Sequence, residues 1–213
     1  MGDMGGCMVV LTNTRKMYGK NRIFDGVDMT IDATKPTVIM GKNGCGKTTL
    51  LKIIAGILVH SSGEAERTPD MKVAFVPDRF PKLPFKTEEY LLHMGDIQGL
   101  SRKFTKRQID ANFELFGIPD QIKTQKIAKC SKGTIQKINL IQAFLTRQDL
   151  LVMDEPFSGL DESSTEALIG LLTRVAGFGT AIALSCHDRD LAQKITDNVL
   201  ELGAEGVQHV SFD

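Results

Sequence analysis

The sequence predicts an α/β fold with a mostly parallel central sheet, antiparallel strands near the N-terminus and an inserted α-helical lobe. Short apolar runs end at glycine, at acidic residues or near histidine, and stretches of helical periodicity separate them. The segment from about 78 to 147 has few strand signals. Two apolar runs joined by a Gly-flanked turn close the chain and predict a hairpin.

Each strand is predicted from a run that is apolar throughout or that alternates with polar residues. The predicted strands are 9–11, 27–31, Thr37–Met40, Val73–Val76, Leu150–Met153, 180–184, 199–202 and 207–210. The alternation in 27–31 indicates a strand with one buried face. The uniform run at 150–153 indicates a strand buried on both faces.

Helices are predicted where apolar residues recur every three or four positions. The predicted helical segments are 49–58, much of 87–146, and 168–175. Within the second segment, Thr105 and Gln108 fit a capping box, with Thr105 as the N-cap. Gly117 and Pro119 are predicted to end that helix.

Composition narrows the classes of function. The chain has 213 residues, with 26 basic and 26 acidic side chains, so its formal net charge is zero. Nucleic-acid binders usually carry a basic excess, and no nucleic-acid partner is expected here. Neither a secretory leader nor an apolar run of about 20 residues is evident, which favours an intracellular protein. Four scattered cysteines favour reduced thiols over a disulfide scaffold.

A glycine-rich loop follows the predicted strand Thr37–Met40. The segment 41–48 matches G-x-x-x-x-G-K-[ST], between a strand and a helix. Glycines allow the tight turn that points backbone N–H groups at phosphate, Lys47 supplies positive charge, and the Thr48 hydroxyl suits Mg²⁺. The core is therefore predicted to be that of a P-loop NTPase. The residues assigned to ATP here are Gly41, Lys42, Asn43, Gly44, Cys45, Gly46, Lys47, Thr48 and Thr49.

Two adjacent acids end the apolar strand at 150–153. Asp154 is placed to approach Mg²⁺, and Glu155 to polarise an attacking water as general base. A solvated acidic turn is the alternative. The phosphate loop upstream favours the catalytic interpretation.

The segment 130–137, Cys-Ser-Lys-Gly-Thr-Ile-Gln-Lys, resembles the signature motif of ATP-binding cassette (ABC) ATPases, usually Leu-Ser-Gly-Gly-Gln followed by a Gln-Arg pair. Ser131, Gly133 and Gln136 match, whereas Cys130, Lys132 and Thr134 depart. The resemblance implies that Ser131 and Gly133 bind the γ-phosphate held by another subunit. A plain helix N-cap at Ser131 is the alternative.

Other landmarks of that family fall in order along the chain. Ser158 and Asp161 lie in a segment similar to the loop that couples two subunits. His187 follows a strand, as the family's switch histidine does. Tyr18 matches the aromatic residue that stacks on adenine, although a core or surface tyrosine is the alternative.

Asp78 stands where the family usually has a glutamine that touches Mg²⁺ and the membrane subunit. The resemblance implies that Asp78 contributes to the ATP and metal site, with Arg79 offsetting its charge. Acids here occur in some export-type cassettes, which weakly favours export. The surface expected to bind a membrane subunit is the groove near Asp78 and the helices after it. Its apolar residues, some of which are expected in the core, are Phe80, Leu83, Pro84, Phe85 and Tyr90.

The resemblance implies one ATP-binding cassette over 1–213, with a helical subdomain from about 78 to 147 inserted in a RecA-like core. It further implies a homodimer, or a heterodimer with a second cassette, that hydrolyses MgATP on integral membrane transporter subunits. The cassette is then expected at the cytoplasmic face of the cell membrane. The alternatives are a soluble ABC-type ATPase acting on ribosomes or DNA, and another P-loop NTPase such as a kinase.

Three cysteines adjoin motif residues, namely Cys45, Cys130 and Cys186. Small buried side chains are one interpretation. The other is thiol sensitivity, since Cys45 lies near a helix N-terminus. It predicts that alkylation blocks activity and that MgATP protects.

Overall fold

The computed structural model describes residues 8–211, and these form two sheets and six α-helices. The strands are β1 (Val9–Tyr18), β2 (Asn21–Ile31), β3 (Thr37–Met40), β4 (Ser62–Arg67), β5 (Val73–Val76), β6 (Leu150–Met153), β7 (Ala181–Ser185), β8 (Val199–Gly203) and β9 (Gly206–His209). The helices are α1 (Lys47–Ile54), α2 (Thr87–Ile97), α3 (Arg102–Leu115), α4 (Lys132–Ala143), α5 (Glu162–Gly177) and α6 (Arg189–Ile195), with 3₁₀ turns at Asp120–Thr124 and Ile127–Lys129. The predicted α/β class is confirmed.

The larger sheet has the strand order β5-β6-β7-β3-β8-β9. The pairs β6–β7, β7–β3 and β3–β8 are parallel, and β8–β9 is the predicted antiparallel hairpin. Since β6, β7 and β3 are parallel neighbours, their carboxyl ends meet at one edge of the sheet. The phosphate loop, Asp154 and the segment before His187 all start from that edge.

The smaller sheet is antiparallel, in the order β2-β1-β4. Its first two strands are longer than the predicted 9–11 and 27–31, because β1 continues through irregular pairings after Leu11 and reaches Tyr18. Asn13 has a φ of 45° at the first irregularity, and its N–H donates to Asp28 Oδ1. These irregularities interrupt the alternation on which the prediction relied.

The helix prediction needs correction: α1 ends at Ile54 rather than at 58, α6 was not predicted, and the predicted N-cap of α3 is wrong. Thr105 is not an N-cap, because α3 begins at Arg102 and Ser101 is its N-cap, accepting from the Phe104 N–H at 3.3 Å. Thr105 is buried in the first turns of the helix, where its hydroxyl donates to Ser101 O. The predicted end near Gly117 agrees with the C-cap at Phe116.

The described residues divide into two compact units. The first contains 8–75, 148–155 and 172–211, and the second contains 76–147 and 156–171. In the first unit, apolar side chains of both sheets surround α1, whose Leu50, Leu51, Ile53 and Ile54 are fully buried. The second unit buries Leu91, Phe113 and Ile138 from α2, α3 and α4. No helix among residues 8–211 is long and apolar enough to span a membrane.

Candidate functional site

The loop between β3 and α1 depends on glycine for its shape. Gly41 and Gly46 have φ values of 143° and 109°, which L-residues rarely adopt. A Cβ on Gly46 would lie 2.6 Å from Ile23 Cγ2, and one on Gly41 would lie 2.8 Å from Leu202 O. The backbone therefore passes too close to its neighbours for any side chain at either position. The N–H of Cys45 closes a turn on Lys42 O at 3.2 Å.

Lys47 is the first residue of α1 and folds back over this loop. Its side chain is buried, and Nζ donates to Gly41 O at 2.8 Å and to Lys42 O at 3.3 Å. The ammonium group thus lies against the loop backbone, beside the N–H groups at the start of α1. A cation and a helix N-terminus together favour an anion.

Hydrogen bonds and one close polar contact join the first turn of α1 to the carboxyl ends of β6 and β7. Thr48 Oγ1 donates to Asp154 Oδ2 at 2.6 Å, and Ser185 Oγ donates to Asp154 Oδ1 at 2.8 Å. The Glu155 N–H donates to Ser185 Oγ at 2.8 Å. His187 Nε2 lies 2.8 Å from Glu155 Oε1. We call Thr48, Asp154, Ser185, Glu155 and His187 the strand-end chain.

Glu155 has an unusual backbone conformation, with a φ of 48°. Non-glycine residues in this left-handed region cost free energy and cluster at functional sites. The conformation separates the two adjacent acids: Asp154 is buried and bonded to Thr48, whereas Glu155 reaches His187. The two carboxylates therefore have distinct partners, and their roles at the metal and as general base stay predictions.

Ser185 is a member of the strand-end chain that the sequence interpretation missed. It is fully buried at the end of β7. Its hydroxyl donates to the Asp154 carboxylate and accepts from the Glu155 N–H. The available signal was a polar residue ending an otherwise apolar strand directly before Cys186 and His187.

A cavity of about 270 Å³ adjoins the start of the phosphate loop. Its lining comprises Met40, Gly41, Lys42, His187, Arg189, Glu201 and Val210. The predicted loop residues and the predicted histidine thus face the same space.

Tyr18 lies at the end of β1 with its side chain about half exposed. The Nζ of Lys16 lies 4.9 Å from the centre of the Tyr18 ring and also donates to Val59 O at 2.7 Å. Tyr18 is therefore a half-exposed residue whose ring has the Lys16 ammonium over it, and stacking on a ligand remains a prediction.

Ser131 and Gly133 lie at the start of α4 in the second unit. Ser131 is the N-cap and accepts from the Thr134 N–H at 3.2 Å, which agrees with the helix-cap interpretation and leaves ligand binding as a prediction. A Cβ on Gly133 would lie 2.7 Å from Gly159 O. Lys132 Nζ approaches Ser158 Oγ at 3.4 Å. The signature-like segment therefore packs directly on the loop that contains Ser158.

Asp161 is held at the start of α5. It accepts from the Ser164 N–H at 2.9 Å, from Ser163 Oγ at 3.0 Å and from Lys137 Nζ at 3.0 Å. Hydrogen bonds from Ser164 and Lys137 keep the pKa of Asp161 well below its ordinary value. The residue is therefore ionised throughout the physiological range.

Asp78 follows β5 in the second unit. Its carboxylate lies 3.9 Å from the Arg79 guanidinium, as expected from the sequence. Because the Arg79 side chain is 97% exposed, this ion pair is weak and leaves the Asp78 carboxylate able to accept other partners.

The three cysteines near motif residues differ in exposure. Cys186 is buried, and burial raises its pKa to about 11. Burial also raises the pKa of Cys130. Cys45 is partly exposed within the phosphate loop. The raised pKa values disfavour the reactive thiolate at Cys130 and Cys186, and Cys186 fits the interpretation as a small buried residue. Thiol sensitivity of Cys45 stays a prediction.

Comparison with known sequences identifies relatives of the chain. A family model described as ABC transporter matches residues 24–158. YhaQ of Bacillus subtilis (strain 168), an uncharacterized ABC transporter ATP-binding protein, is 29% identical, and the alignment covers 94% of this chain and 70% of that protein. ZnuC of Cereibacter sphaeroides, a zinc import ATP-binding protein, is 30% identical, with coverage of 85% and 73%.

Solved structures share the fold. The ATP binding subunit of an ABC transporter superposes with a TM-score of 0.83 at 25% identity, covering 94% of this chain and 88% of that one. The dimeric, post-hydrolysis ATP-binding cassette MJ0796 with ADP and Pi also gives 0.83, at 20% identity and with coverage of 96% and 100%. The expectation of export finds no support, because several relatives are instead named as zinc import proteins. The ribosome or DNA alternative is not favoured either.

Proposed function

The chain belongs to the ABC transporter family as an ATP-binding ATPase subunit, and from this premise we propose that two cassettes close head to tail on two MgATP to drive separate membrane subunits. The observation that carries the proposal is the strand-end chain, which joins two hydroxyls, two acids and an imidazole beside the phosphate loop. Residues 1–213 would form one cassette, with 78–147 as its helical subdomain.

The triphosphate would lie on the loop 41–48. Backbone N–H groups at the start of α1 would donate to its oxygens, and Lys47 would neutralise β- and γ-phosphate charge. Thr49, in the first turn of the helix, belongs to the same N-terminal cluster of N–H groups. Tyr18 would stack on the adenine.

Thr48 and Asp154 fit a Mg²⁺ site. A hydroxyl and a buried carboxylate are oxygen ligands of the kind that Mg²⁺ prefers, and their oxygens already lie 2.6 Å apart. These two residues would hold the ion, with Asp78 as a further oxygen ligand. Bound Mg²⁺ would neutralise developing charge on the phosphates.

Glu155 would accept the proton of the attacking water, and its carboxylate lies 2.8 Å from His187 Nε2. His187 would position Glu155 and contact the γ-phosphate. Ser185 fixes the Glu155 N–H and so the strained backbone from which that carboxylate extends.

The second cassette, identical or different, would contribute Ser131 and Gly133 to the γ-phosphate. Ser158 and Asp161 would couple the two sites, because the loop that contains them packs on the start of α4. ATP would then be a ligand shared by both chains. Its hydrolysis would remove the shared contact and favour opening.

The proposed membrane-subunit surface follows Asp78. Phe85 is 55% exposed, whereas Phe80 packs edge-on against Tyr90, with the ring centres 5.8 Å apart. Leu83 and Pro84 complete the surface. An exposed aromatic residue such as Phe85 could pack against a helix of a membrane subunit. Binding of that kind would place the cassette at the cytoplasmic face of the cell membrane.

The Ser185→Ala variant tests the strand-end chain. It removes a donor to buried Asp154 and the acceptor of the Glu155 N–H, each at 2.8 Å. We expect kcat for ATP to fall about thirtyfold, because hydrogen bonds to charged groups contribute about 2 kcal/mol. Thr180→Val is the matched control, since Thr180 is buried just before β7 and its hydroxyl donates to Gln148 O rather than to either acid. A wild-type kcat in Ser185→Ala would show that the strand-end chain does not contribute to hydrolysis.

Thiol modification gives a second test. At about pH 8, iodoacetamide should modify Cys45 but not Cys186, whose pKa of about 11 keeps it in the unreactive thiol form. Peptide masses and ATPase activity measured over time should show that activity is lost in step with Cys45 modification. MgATP should slow both the modification and the loss of activity. Full activity after complete Cys45 modification would contradict the expected position of the triphosphate.

A further inference from the structure

A second set of buried polar side chains lies in the second unit, away from the phosphate loop in sequence. Gln136, Asn139 and Gln142 recur every third residue of α4 and so share one face of the helix. Gln142 Nε2 donates to Asn139 Oδ1 at 3.0 Å, and Asn139 Nδ2 donates to Gln136 Oε1 at 3.3 Å. Asn139 is 0% exposed and Gln136 is 4% exposed.

One end of this set reaches α2. The Tyr90 hydroxyl donates to Gln142 Oε1, and burial raises the pKa of Tyr90 to about 12, so that it remains a donor at physiological pH. The Tyr90 ring packs against Phe80, in the surface proposed for the membrane subunit. We call Tyr90, Gln142, Asn139 and Gln136 the amide chain.

The last two members of the amide chain, Asn139 and Gln136, each donate to the carbonyl of a proline. Gln136 Nε2 donates to Pro156 O at 3.0 Å, and Asn139 Nδ2 donates to Pro77 O at 2.8 Å. Proline has no N–H, so its carbonyl is its only backbone hydrogen-bonding group. From Tyr90 to Pro156 every donor points the same way, an arrangement in which successive hydrogen bonds strengthen one another.

Both prolines adjoin an acid of the proposed site. Pro77 directly precedes Asp78, and Pro156 directly follows Glu155, whose φ of 48° requires support from its neighbours. Ser185 holds the peptide on the N-terminal side of Glu155, and Gln136 holds the carbonyl of the residue on its C-terminal side.

We propose that the amide chain positions the backbone at Asp78 and Glu155 for hydrolysis. Through Tyr90, the same chain couples the position of that backbone to the surface proposed for the membrane subunit. The proposal rests on the proposed function. Gln136 and Asn139 act as positioning residues, because they touch the peptides next to the two acids and not the nucleotide. A displaced helix α2 would move Tyr90 and so weaken the hydrogen bonds at the far end.

Two variants of the full chain test this by steady-state ATPase kinetics. Gln136→Met keeps side-chain length but removes the donor to Pro156, and we expect kcat to fall at least tenfold with KM for ATP within about twofold. Tyr90→Phe removes one hydroxyl, and we expect kcat to fall about threefold. Gln98→Met is the matched control: it lies in the same unit, its Oε1 accepts no hydrogen bond from the described residues, and its kcat should match wild type.

The double variant separates a linked chain from independent structural roles. Tyr90 and Gln136 do not bond to each other directly, so unrelated roles predict that their effects on ln kcat add. The amide chain predicts a combined loss smaller than the sum, because the second change acts on a chain already broken. Wild-type kcat in Tyr90→Phe, or strict additivity, overturns the proposal, and Tyr90→Phe alone decides if Gln136→Met does not fold. Glu155→Gln run in parallel tests the proposed function separately.

Discussion

The Glu155→Gln variant should hydrolyse ATP about a thousandfold more slowly than wild type and still bind it. Glutamine preserves the shape of the side chain and keeps an oxygen at the place of Glu155 Oε1, which lies 2.8 Å from His187 Nε2. It cannot take a proton from water. General-base catalysis contributes about 10²–10⁴ in rate, so the loss corresponds to roughly 4 kcal/mol of activation free energy. Phosphate release at saturating ATP measures the rate, and equilibrium titration with ATP measures binding.

Glu166→Gln serves as the control for that change. Glu166 is exposed on α5, and neutralising it alters the charge of the chain equally. Its turnover should stay at the wild-type rate. Normal hydrolysis by Glu155→Gln would show that another group acts as the base.

The Lys47→Ala variant should lose ATP affinity by at least about a hundredfold, or roughly 2.7 kcal/mol. Two effects combine here. The variant removes the cation expected at the β- and γ-phosphates, and it leaves Gly41 O and Lys42 O without the ammonium that now bonds them at 2.8 and 3.3 Å. Titration of the purified variant with ATP, with and without Mg²⁺, gives the change in Kd.

Lys52→Ala is the matched control, because Lys52 lies in the last turn of the same helix and bears the same charge. Its affinity for ATP should be unchanged. An equal loss in both variants would indicate a general effect of charge or of helix stability rather than a specific contact of Lys47.

The sequence was most informative where a single local requirement, such as burial of an apolar run or a backbone conformation that needs glycine, determined the residues of a segment. The strands β3 and β6 were predicted with their observed bounds, since each is a short apolar run that stops at a glycine or an acid. The glycine spacing of the phosphate loop is also local, because backbone conformation alone demands glycine at positions such as Gly41 and Gly46.

Features that depend on distant partners were missed. The strand β4 reads Ser-Gly-Glu-Ala-Glu-Arg and has no apolar pattern, since it is an edge strand that is held by pairing with β1. Thr105 has the residue type of an N-cap, but α3 already begins at Arg102, and Thr105 is buried within the helix. Ser185 acquires its importance only when parallel pairing brings the end of β7 beside β6.

The interpretation of function depended on order along the chain more than on any single motif. The signature-like segment departs from the family pattern at Cys130, Lys132 and Thr134, and its place between the helical segment and the acidic strand carried the assignment. The direction of transport had no comparable support, because it rested on Asp78 alone.

The most direct test is a side-by-side measurement of phosphate release from ATP by the wild-type chain, Lys47→Ala and Glu155→Gln, each with and without Mg²⁺. We expect rapid release only from the wild type with Mg²⁺, and release at least about a hundredfold slower from the other samples. Equal rates in all three proteins, or release by the wild type that does not depend on Mg²⁺, would contradict a mechanism in which Lys47 holds the triphosphate and Glu155 activates water.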